Sequence, residues 1–188
     1  MSYKVVVLAS GTGSLFEALI RSQQDYEVVA LITDNPDAGA IAIADTFGIQ
    51  VEICDLDSFS TRTDWNSALR ALIAGYQPDL VVSAGFMKVI GEQVVNEFNE
   101  KLINIHPSLL PNFPGAHAVE DALNAGVTRT GTTVHFVDAG VDSGPIIAQR
   151  EVEISQNDSI ESLHERIKTV ERELIVEVVK SFAREATQ

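Results

Sequence analysis

The stretch of sequence that decides the fold is residues 4–22, KVVVLASGTGSLFEALIRS. Valine dominates residues 4–8, which is typical of a strand buried on both faces. A turn of small residues follows, and residues 14–22 then place apolar side chains at the i, i+3 and i+4 spacing of a helix. A buried strand that leads through a tight turn into a helix predicts an α/β fold with a largely parallel sheet.

The same alternation of strands and helices continues along the whole chain. We therefore expect an α/β fold with an open, mostly parallel twisted sheet and helices on both faces. No repeat, linker or low-complexity tract interrupts the pattern, which favours one domain over residues 1–188. The further strands are predicted at residues 27–33, 49–53, 80–83, 102–106, 132–137 and 145–154, and the further helices at residues 38–47, 63–76, 93–98, 118–124 and 159–186.

The last predicted helix, residues 159–186, has good capping residues at its start. Asp158 or Ser159 can accept a hydrogen bond from the free N–H groups of the first turn. Three positions after Ser159 stands Ser162 rather than the Glu or Gln of the usual capping box, so we expect no capping box there.

Composition excludes several classes of function. The 188 residues carry 13 Lys and Arg against 27 Asp and Glu, a net charge of −14, which argues against a nucleic-acid or anionic-membrane partner. The single cysteine, Cys54, excludes an intramolecular disulfide and a Cys-rich metal site. The start of the sequence lacks signal-peptide architecture, and no apolar run is long enough to span a membrane. We therefore predict a cytoplasmic protein.

The turn SGTGS, residues 10–14, has the properties of an anion site. Its glycines allow a tight turn, and the free N–H groups at the start of the helix favour a phosphate. The turn is not a Walker A loop, and Phe16 replaces the third glycine of a dinucleotide-binding loop. The alternative is a tight strand-to-helix turn without a ligand. Its position at the carboxyl end of a strand favours the phosphate site.

Asn104 and His106 lie two residues apart on the strand at residues 102–106, so their side chains project from the same face. An amide donor beside an imidazole can stabilise an oxyanion and move a proton. The alternative is a hydrogen-bonded histidine at a strand end. In the loop DAGVDSGP, residues 138–145, an aspartate near the imidazole would favour its protonated form. Spacing alone leaves open which aspartate does so.

The other candidate residues are less informative. His117, His135 and His164 show no metal-ligand spacing, and we predict no metal site. Trp65 lies on an apolar helical stripe that is expected to be core. The apolar loop at residues 85–90 lines a pocket for a flat heterocycle or belongs to the core.

Four segments together resemble the folate-dependent formyltransferases. They are VVVLASGTGSLFEAL at residues 5–19, PDLVVSAGFMKVI at 78–90, LINIHPSLLPNFPGAHAVEDAL at 102–123 and GTTVHFVDAGVDSGPII at 131–147. The stretch INIHPSLLP with a downstream D-x-G-P is highly specific to this group. Within the group, the SGTGS turn is similar to that of the phosphoribosylglycinamide formyltransferases.

The resemblance implies a Rossmann-like formyltransferase fold and a reaction of purine synthesis. Its implied substrates are 5-phosphoribosylglycinamide and 10-formyltetrahydrofolate, and no metal is required. Residues 1–100 would form the phosphate-binding half and residues 101–188 the catalytic and folate-loop half. The resemblance is also compatible with a homodimer.

The resemblance also assigns roles to individual residues. It implies a catalytic trio of Asn104, His106 and Asp142, which selects Asp142 in the loop at residues 138–145. Leu15 stands where relatives usually carry Asn, so only its backbone N–H would serve the phosphate. The expected phosphate site is Gly13, Ser14, Leu15 and Lys168, the expected contact to the substrate amine is Glu171, and the expected folate site is Arg62, Met87, Lys88, Val89, Ile90, Asn104, Ala139, Gly140, Val141 and Asp142.

Three other functions fit part of the pattern. A methionyl-tRNA formyltransferase would share the trio but needs a basic surface, which this acidic chain lacks. A hydrolase that releases formate from the same folate would use water in place of the amine. A non-catalytic nucleotide-binding module would use only the SGTGS turn and would leave Asn104 and His106 unexplained.

Overall fold

One twisted sheet organises the protein in a computed structural model, which describes residues 2–187. Its strands are β1 (Tyr3–Leu8), β2 (Tyr26–Thr33), β3 (Gln50–Ile53), β4 (Leu80–Ser83), β5 (Leu102–His106), β6 (Arg129–Phe136) and β7 (Ile146–Glu153). Its helices are α1 (Ser14–Arg21), α2 (Gly39–Phe47), α3 (Arg62–Gly75), α4 (Glu92–Glu97), α5 (Ala118–Asn124) and α6 (Ile160–Glu185), with a short 3₁₀ turn at Leu56–Ser58.

The strand order is β3-β2-β1-β4-β5-β6-β7. The first five of these strands are parallel, and β6 and β7 extend the sheet in antiparallel fashion. The predicted open, mostly parallel α/β sheet is therefore confirmed. The order reverses between β1 and β4, and open sheets of this kind bind ligands outside the carboxyl ends of the strands at that point. Within residues 2–187, no helix is both long and apolar enough to span a bilayer.

Strand β1 is buried on both faces, as its valine-rich sequence predicts. Val5 and Val7 pack towards α1, α2 and α6, whereas Val6 and Leu8 pack towards α3 and α4. Trp65, on the predicted apolar stripe of α3, is fully buried in the second of these layers. The helices thus cover both faces and leave the carboxyl edge of the sheet to the loops.

The main difference from the predicted elements is at β6, which begins at Arg129 rather than at residue 132. Its ladder with β7 runs from Arg129 opposite Glu153 and includes Gly131. A Cβ at residue 131 would lie 2.1 Å from the carbonyl oxygen of Arg150, so glycine is required where the two strands approach closely. Glycine has low strand propensity, which is why the sequence pattern missed this part of the strand.

The prediction that α6 has no capping box was wrong. The Ser162 N–H donates to Ser159 Oγ at 3.2 Å, and the Ser159 N–H donates to Ser162 Oγ at 3.0 Å. A serine hydroxyl at the third position therefore makes the reciprocal bond that Glu or Gln usually makes. Both N–H groups gain a partner that the helix itself cannot supply.

Gly13 shapes the turn between β1 and α1. Its φ of +81° lies in the left-handed region that favours glycine. A Cβ at this position would lie 2.7 Å from the Cα of Ala40 in α2. The Ala40 N–H also donates to the carbonyl of Gly11 at 3.2 Å, so α2 supports the turn from behind.

We expect Gly13→Ala to lower the free energy of unfolding by about 1–3 kcal/mol, since it combines left-handed backbone strain with a clash against α2. Urea denaturation followed by far-UV circular dichroism measures the change. Gly11→Ala is the matched control, because a Cβ at residue 11 meets nothing within 4 Å. Equal losses in the two variants would contradict this account of the turn.

Candidate active site

Four polar side chains meet where β5 and β6 lie side by side. Asn104 and His106 project from one face of β5, and the antiparallel register places His135 opposite Asn104. The Asn104 amide nitrogen lies 3.2 Å from His135 Nε2 and 3.5 Å from Asp142 Oδ1. The structure thus brings the three predicted catalytic residues together with a second histidine.

His106 is held from both ring nitrogens. Its Nε2 lies 2.8 Å from the carbonyl oxygen of Phe113, and its Nδ1 lies 3.4 Å from Asp142 Oδ2. The carbonyl oxygen can only accept a hydrogen bond, so Nε2 is the donor in this contact. The ring is buried, which fixes its orientation at the end of β5.

Asp142 lies between the two histidines. The imidazole of His135, with Nε2 3.6 Å from Oδ1, holds the pKa of Asp142 below its usual value against the opposing effect of burial. The Gly115 N–H, which donates to Oδ2 at 2.8 Å, and the nearby His106 also lower this pKa. Asp142 is therefore anionic at neutral pH. Asp138 instead accepts bonds from Gly140 N–H and Ser143 Oγ within its own loop.

Sequence reasoning missed His135 and Phe113. The alternation pattern treated His135 as one polar residue on an apolar strand, and only the pairing of β5 with β6 places it at Asn104. The carbonyl of Phe113 reaches His106 from a residue with a φ of +54°. Ser108 Oγ donates to this carbonyl at 3.2 Å and to that of Asn112 at 2.6 Å. A backbone carbonyl leaves no signal in side-chain identity.

The predicted phosphate turn leads directly into α1. No side chain within the described residues caps this helix, whose first N–H groups have no partner inside it. The side chain of Leu15 is buried in the core, so its backbone N–H is the group that can meet a ligand. Ser14 is half-buried at the start of the helix. Lys168, on α6, donates to Glu165 Oε1 at 2.7 Å.

Glu171 is a buried acid on α6. Burial raises its pKa to about 7. The charges of Lys168 and Arg172 and a hydrogen bond with the Thr132 hydroxyl act in the opposite direction but do not outweigh burial. That hydroxyl donates to the carbonyl of His106 at 3.1 Å. Glu171 is thereby linked through Thr132 to β5, the strand that carries Asn104 and His106.

The loop at residues 85–90 packs Phe86 and Ile90 against the core and leaves Met87 and Val89 exposed. Met87 is 75% exposed and Val89 67% exposed, which excludes the core interpretation for these two side chains. The Arg62 guanidinium donates to the Val89 carbonyl and lies 4.7 Å from the centre of the Trp65 ring. Phe86 stacks on the same indole at 6.3 Å. The loop is therefore anchored from one side, while the side chains of Met87 and Val89 remain exposed.

The loop after β6 supplies a second group of exposed side chains. Val141 is 60% exposed, and Ala139 and Gly140 beside it are also exposed. Ile90 is half-buried, and the Lys88 ammonium turns inward to lie 3.5 Å from Asp34. Exposed apolar side chains beside a buried polar cluster suit a flat, largely apolar ligand.

Residues 3–179 match the family model described as formyl transferase. The chain belongs to the formyl transferase family. It is 47% identical over 183 residues to a Mycobacterium tuberculosis protein named phosphoribosylglycinamide formyltransferase. The aligned region covers 96% of this chain and 85% of that protein. A Bacillus subtilis protein of the same name is 38% identical over 183 residues, with coverage of 95% and 94%.

Solved structures agree with this family assignment. The crystal structure of glycinamide ribonucleotide transformylase 1 from Symbiobacterium toebii has a TM-score of 0.95 at 36% identity, with 98% of this chain and 89% of that chain covered. The resemblance to formyltransferases stated from the sequence motifs is thus confirmed. Within residues 2–187, no group of three or more His, Cys, Asp or Glu side chains is placed to hold a metal ion.

The buried acid of this family member predicts a pH-dependent stability. Since the folded state raises the pKa of Glu171 from 4.5 to about 7, it binds the proton more tightly than the unfolded state does. The contribution of Glu171 to stability is then fully present below pH 4.5 and is lost as pH rises through 7. We expect the wild type to lose up to about 3 kcal/mol relative to Glu171→Gln between pH 4.5 and pH 8.

Urea denaturation at a series of pH values measures this difference. Glu153→Gln, which changes an exposed acid on β7, is the control and should follow the wild type at every pH. A constant difference between Glu171→Gln and wild type across this range would rule out the titration of Glu171.

Proposed function

We propose that the protein transfers the formyl group of 10-formyltetrahydrofolate to the glycyl amine of 5-phosphoribosylglycinamide in purine synthesis. The observation that carries the proposal is the convergence of Asn104, His106 and Asp142 in one buried cluster. The relatives that match nearly the whole chain support it through their names. The three residues would act as an oxyanion and proton-transfer site.

The amine of the ribonucleotide is itself a competent nucleophile, so it attacks the formyl carbon directly. The former carbonyl oxygen then becomes negatively charged, and the Asn104 amide and the protonated His106 stabilise it. Because Nε2 of His106 is bound to Phe113, Nδ1 is the ring atom left for substrate. Its 3.4 Å contact with Asp142 is longer than a normal hydrogen bond, which leaves that proton available.

Asp142 has two tasks in this scheme. Its carboxylate lies 3.4 Å from Nδ1 of His106 and so orients the ring towards the developing oxyanion. With an ordered water, it also assists transfer of the proton from the attacking amine to N10 of the folate. Its lowered pKa suits both tasks, because the carboxylate stays ionised.

The two substrates would be bound by different parts of the sheet edge. The phosphate lies at the start of α1 on the N–H groups of Gly13, Ser14 and Leu15, assisted by Lys168, and Glu171 meets the glycyl amine. The folate lies against Arg62, the loop at residues 87–90 and residues 139–142. Holding both substrates in one crevice makes the bimolecular step effectively unimolecular.

The net charge of −14 does not oppose two anionic substrates. Charges beyond about 8 Å are largely screened at physiological salt, so the local N–H groups and the α1 dipole decide. The same proposal has three further parts. It assigns phosphate binding to residues 1–100 and catalysis and folate binding to residues 101–188. It also includes a cytoplasmic location and a homodimer.

A spectrophotometric assay of 10-formyltetrahydrofolate consumption tests the activity. We expect turnover only when 5-phosphoribosylglycinamide is present, because the amine is the nucleophile. Release of formate without the ribonucleotide would instead identify a hydrolase. Absence of turnover under both conditions would favour a non-catalytic binding module and contradict the proposal.

We expect Asn104→Ala to lower kcat by about 100-fold, since loss of one oxyanion contact is worth on the order of 3 kcal/mol. We expect Asp142→Asn to lower kcat by about 100-fold as well, because the carboxylate that orients His106 and assists proton transfer is lost. Circular dichroism should show both variants folded. Asp138→Asn is the matched control from the same loop, because the Asp138 carboxylate accepts hydrogen bonds from Gly140 and Ser143 of its own loop. Full activity in Asp142→Asn, or an equal loss in the control, would refute the role of Asp142.

A further inference from the structure

Asp34 is a buried carboxylate that the proposed reaction does not use. It follows β2 directly at the carboxyl edge of the sheet, and its side chain is only 4% exposed. Burying a carboxylate is unfavourable unless the charge is paired and hydrogen-bonded. The partners of Asp34 therefore indicate why an acid stands at this position.

Those partners come from two other loops at the same edge. Ser10 Oγ, in the turn after β1, donates to Asp34 Oδ1. The Lys88 ammonium, in the loop after β4, lies 3.5 Å from Asp34 Oδ2. One carboxylate thus joins the loops that follow β1, β2 and β4, on both sides of the point where the strand order reverses.

Ser10 extends this linkage to the backbone of residue 87. Its hydroxyl has one proton, which is donated to Asp34, so its oxygen is free to accept the Met87 N–H at 2.8 Å. The Ser10 N–H also donates to the Gly85 carbonyl at 3.1 Å. The buried acid therefore orients the Ser10 hydroxyl as an acceptor, and that hydroxyl fixes the exposed apolar loop.

We infer that Asp34 is a positioning residue that fixes the loop at residues 85–90 against the phosphate turn, and thereby shapes the surface that receives the formyl donor. Arg62 and Trp65 hold the loop from α3, and Asp34 holds it from the loop after β2. The nature of the ligand rests on the proposed function. The linkage itself rests on the contacts of Ser10, Asp34, Met87 and Lys88.

An amide could not replace this carboxylate. Asn at position 34 would keep one acceptor for Ser10, but its NH₂ group would then face the Lys88 ammonium, donor against donor. Ser10→Ala would remove the acceptor for the Met87 N–H and the donor for Asp34. Both substitutions should release the loop without touching Asn104, His106 or Asp142.

Amide hydrogen exchange and steady-state kinetics on the full chain test the inference. In Ser10→Ala and Asp34→Asn, we expect the Met87 amide to exchange about 10-fold faster, as loss of a hydrogen bond in a charge-linked pair predicts. The Gly91 amide, which donates to Asn66 in the same segment, is the internal control and should keep its rate. Asp37→Asn, an exposed acid in the same loop as Asp34, is the control variant.

In the same two variants, we expect KM for 10-formyltetrahydrofolate to rise about 10-fold, in step with the lost contact, while kcat changes far less. Unchanged exchange at Met87 in both variants would overturn the linkage. Faster exchange with an unchanged KM would overturn its role in donor binding. A merely structural role would lower the melting temperature without separating KM from kcat.

The two proposals fail in distinguishable ways. If the wild type shows no ribonucleotide-dependent turnover, the proposed function fails, and calorimetric affinity for 10-formyltetrahydrofolate replaces KM. The exchange rate of the Met87 amide still decides the linkage in that case. If Asp34→Asn does not fold, Ser10→Ala carries both measurements, since it leaves the acid and Lys88 in place.

Discussion

The antiparallel pairing of β5 with β6 is the constraint on which the site depends. It places His135 opposite Asn104 and returns the chain over the end of β5, where Asp142 meets His106. A slip of one residue would turn His135 to the opposite face, because side chains alternate along a strand. The same register puts Thr132 and Val134 on the α6 face, so the packing of α6 also holds the site in register.

The carboxyl edge of the sheet contains buried acids whose environments differ in a useful way. Asp142 is flanked by two imidazoles and an N–H donor, so its pKa is lowered and it remains charged. For Glu171, burial outweighs the opposing effects of Lys168, Arg172 and the Thr132 hydroxyl, so its pKa rises to about 7. The two acids therefore titrate far apart: Asp142 stays ionised at neutral pH, whereas Glu171 changes its charge there.

The sequence predicted the fold well because its strongest signals are local. The valines of β1 indicate burial on both faces, and the period of two along β5 places Asn104 and His106 together. Prediction from the sequence failed where the decisive contact joins segments that are distant along the chain. Gly131 obscured the start of β6, and His135 gained significance only from a strand pairing. The capping box of α6 is a local contact that was missed for another reason, because serine is not the usual residue at its third position. The roles of the binding residues stay predictions.

The distribution of burial divides the site into a rigid part and an adaptable part. Asn104, His106 and Asp142 belong to strands or are held by them, so their geometry is set before a ligand arrives. Met87, Val89 and Val141 stand on loops and remain exposed, so a ligand that covers them gains apolar burial. The loop that carries Met87 can contribute this binding energy only if its backbone is already fixed. If the backbone were flexible, the entropy lost in ordering it on binding would offset the free energy gained by apolar burial. Buried polar contacts under an exposed apolar surface meet this requirement, and Asp34 supplies them through Ser10 and through Lys88 on the loop itself.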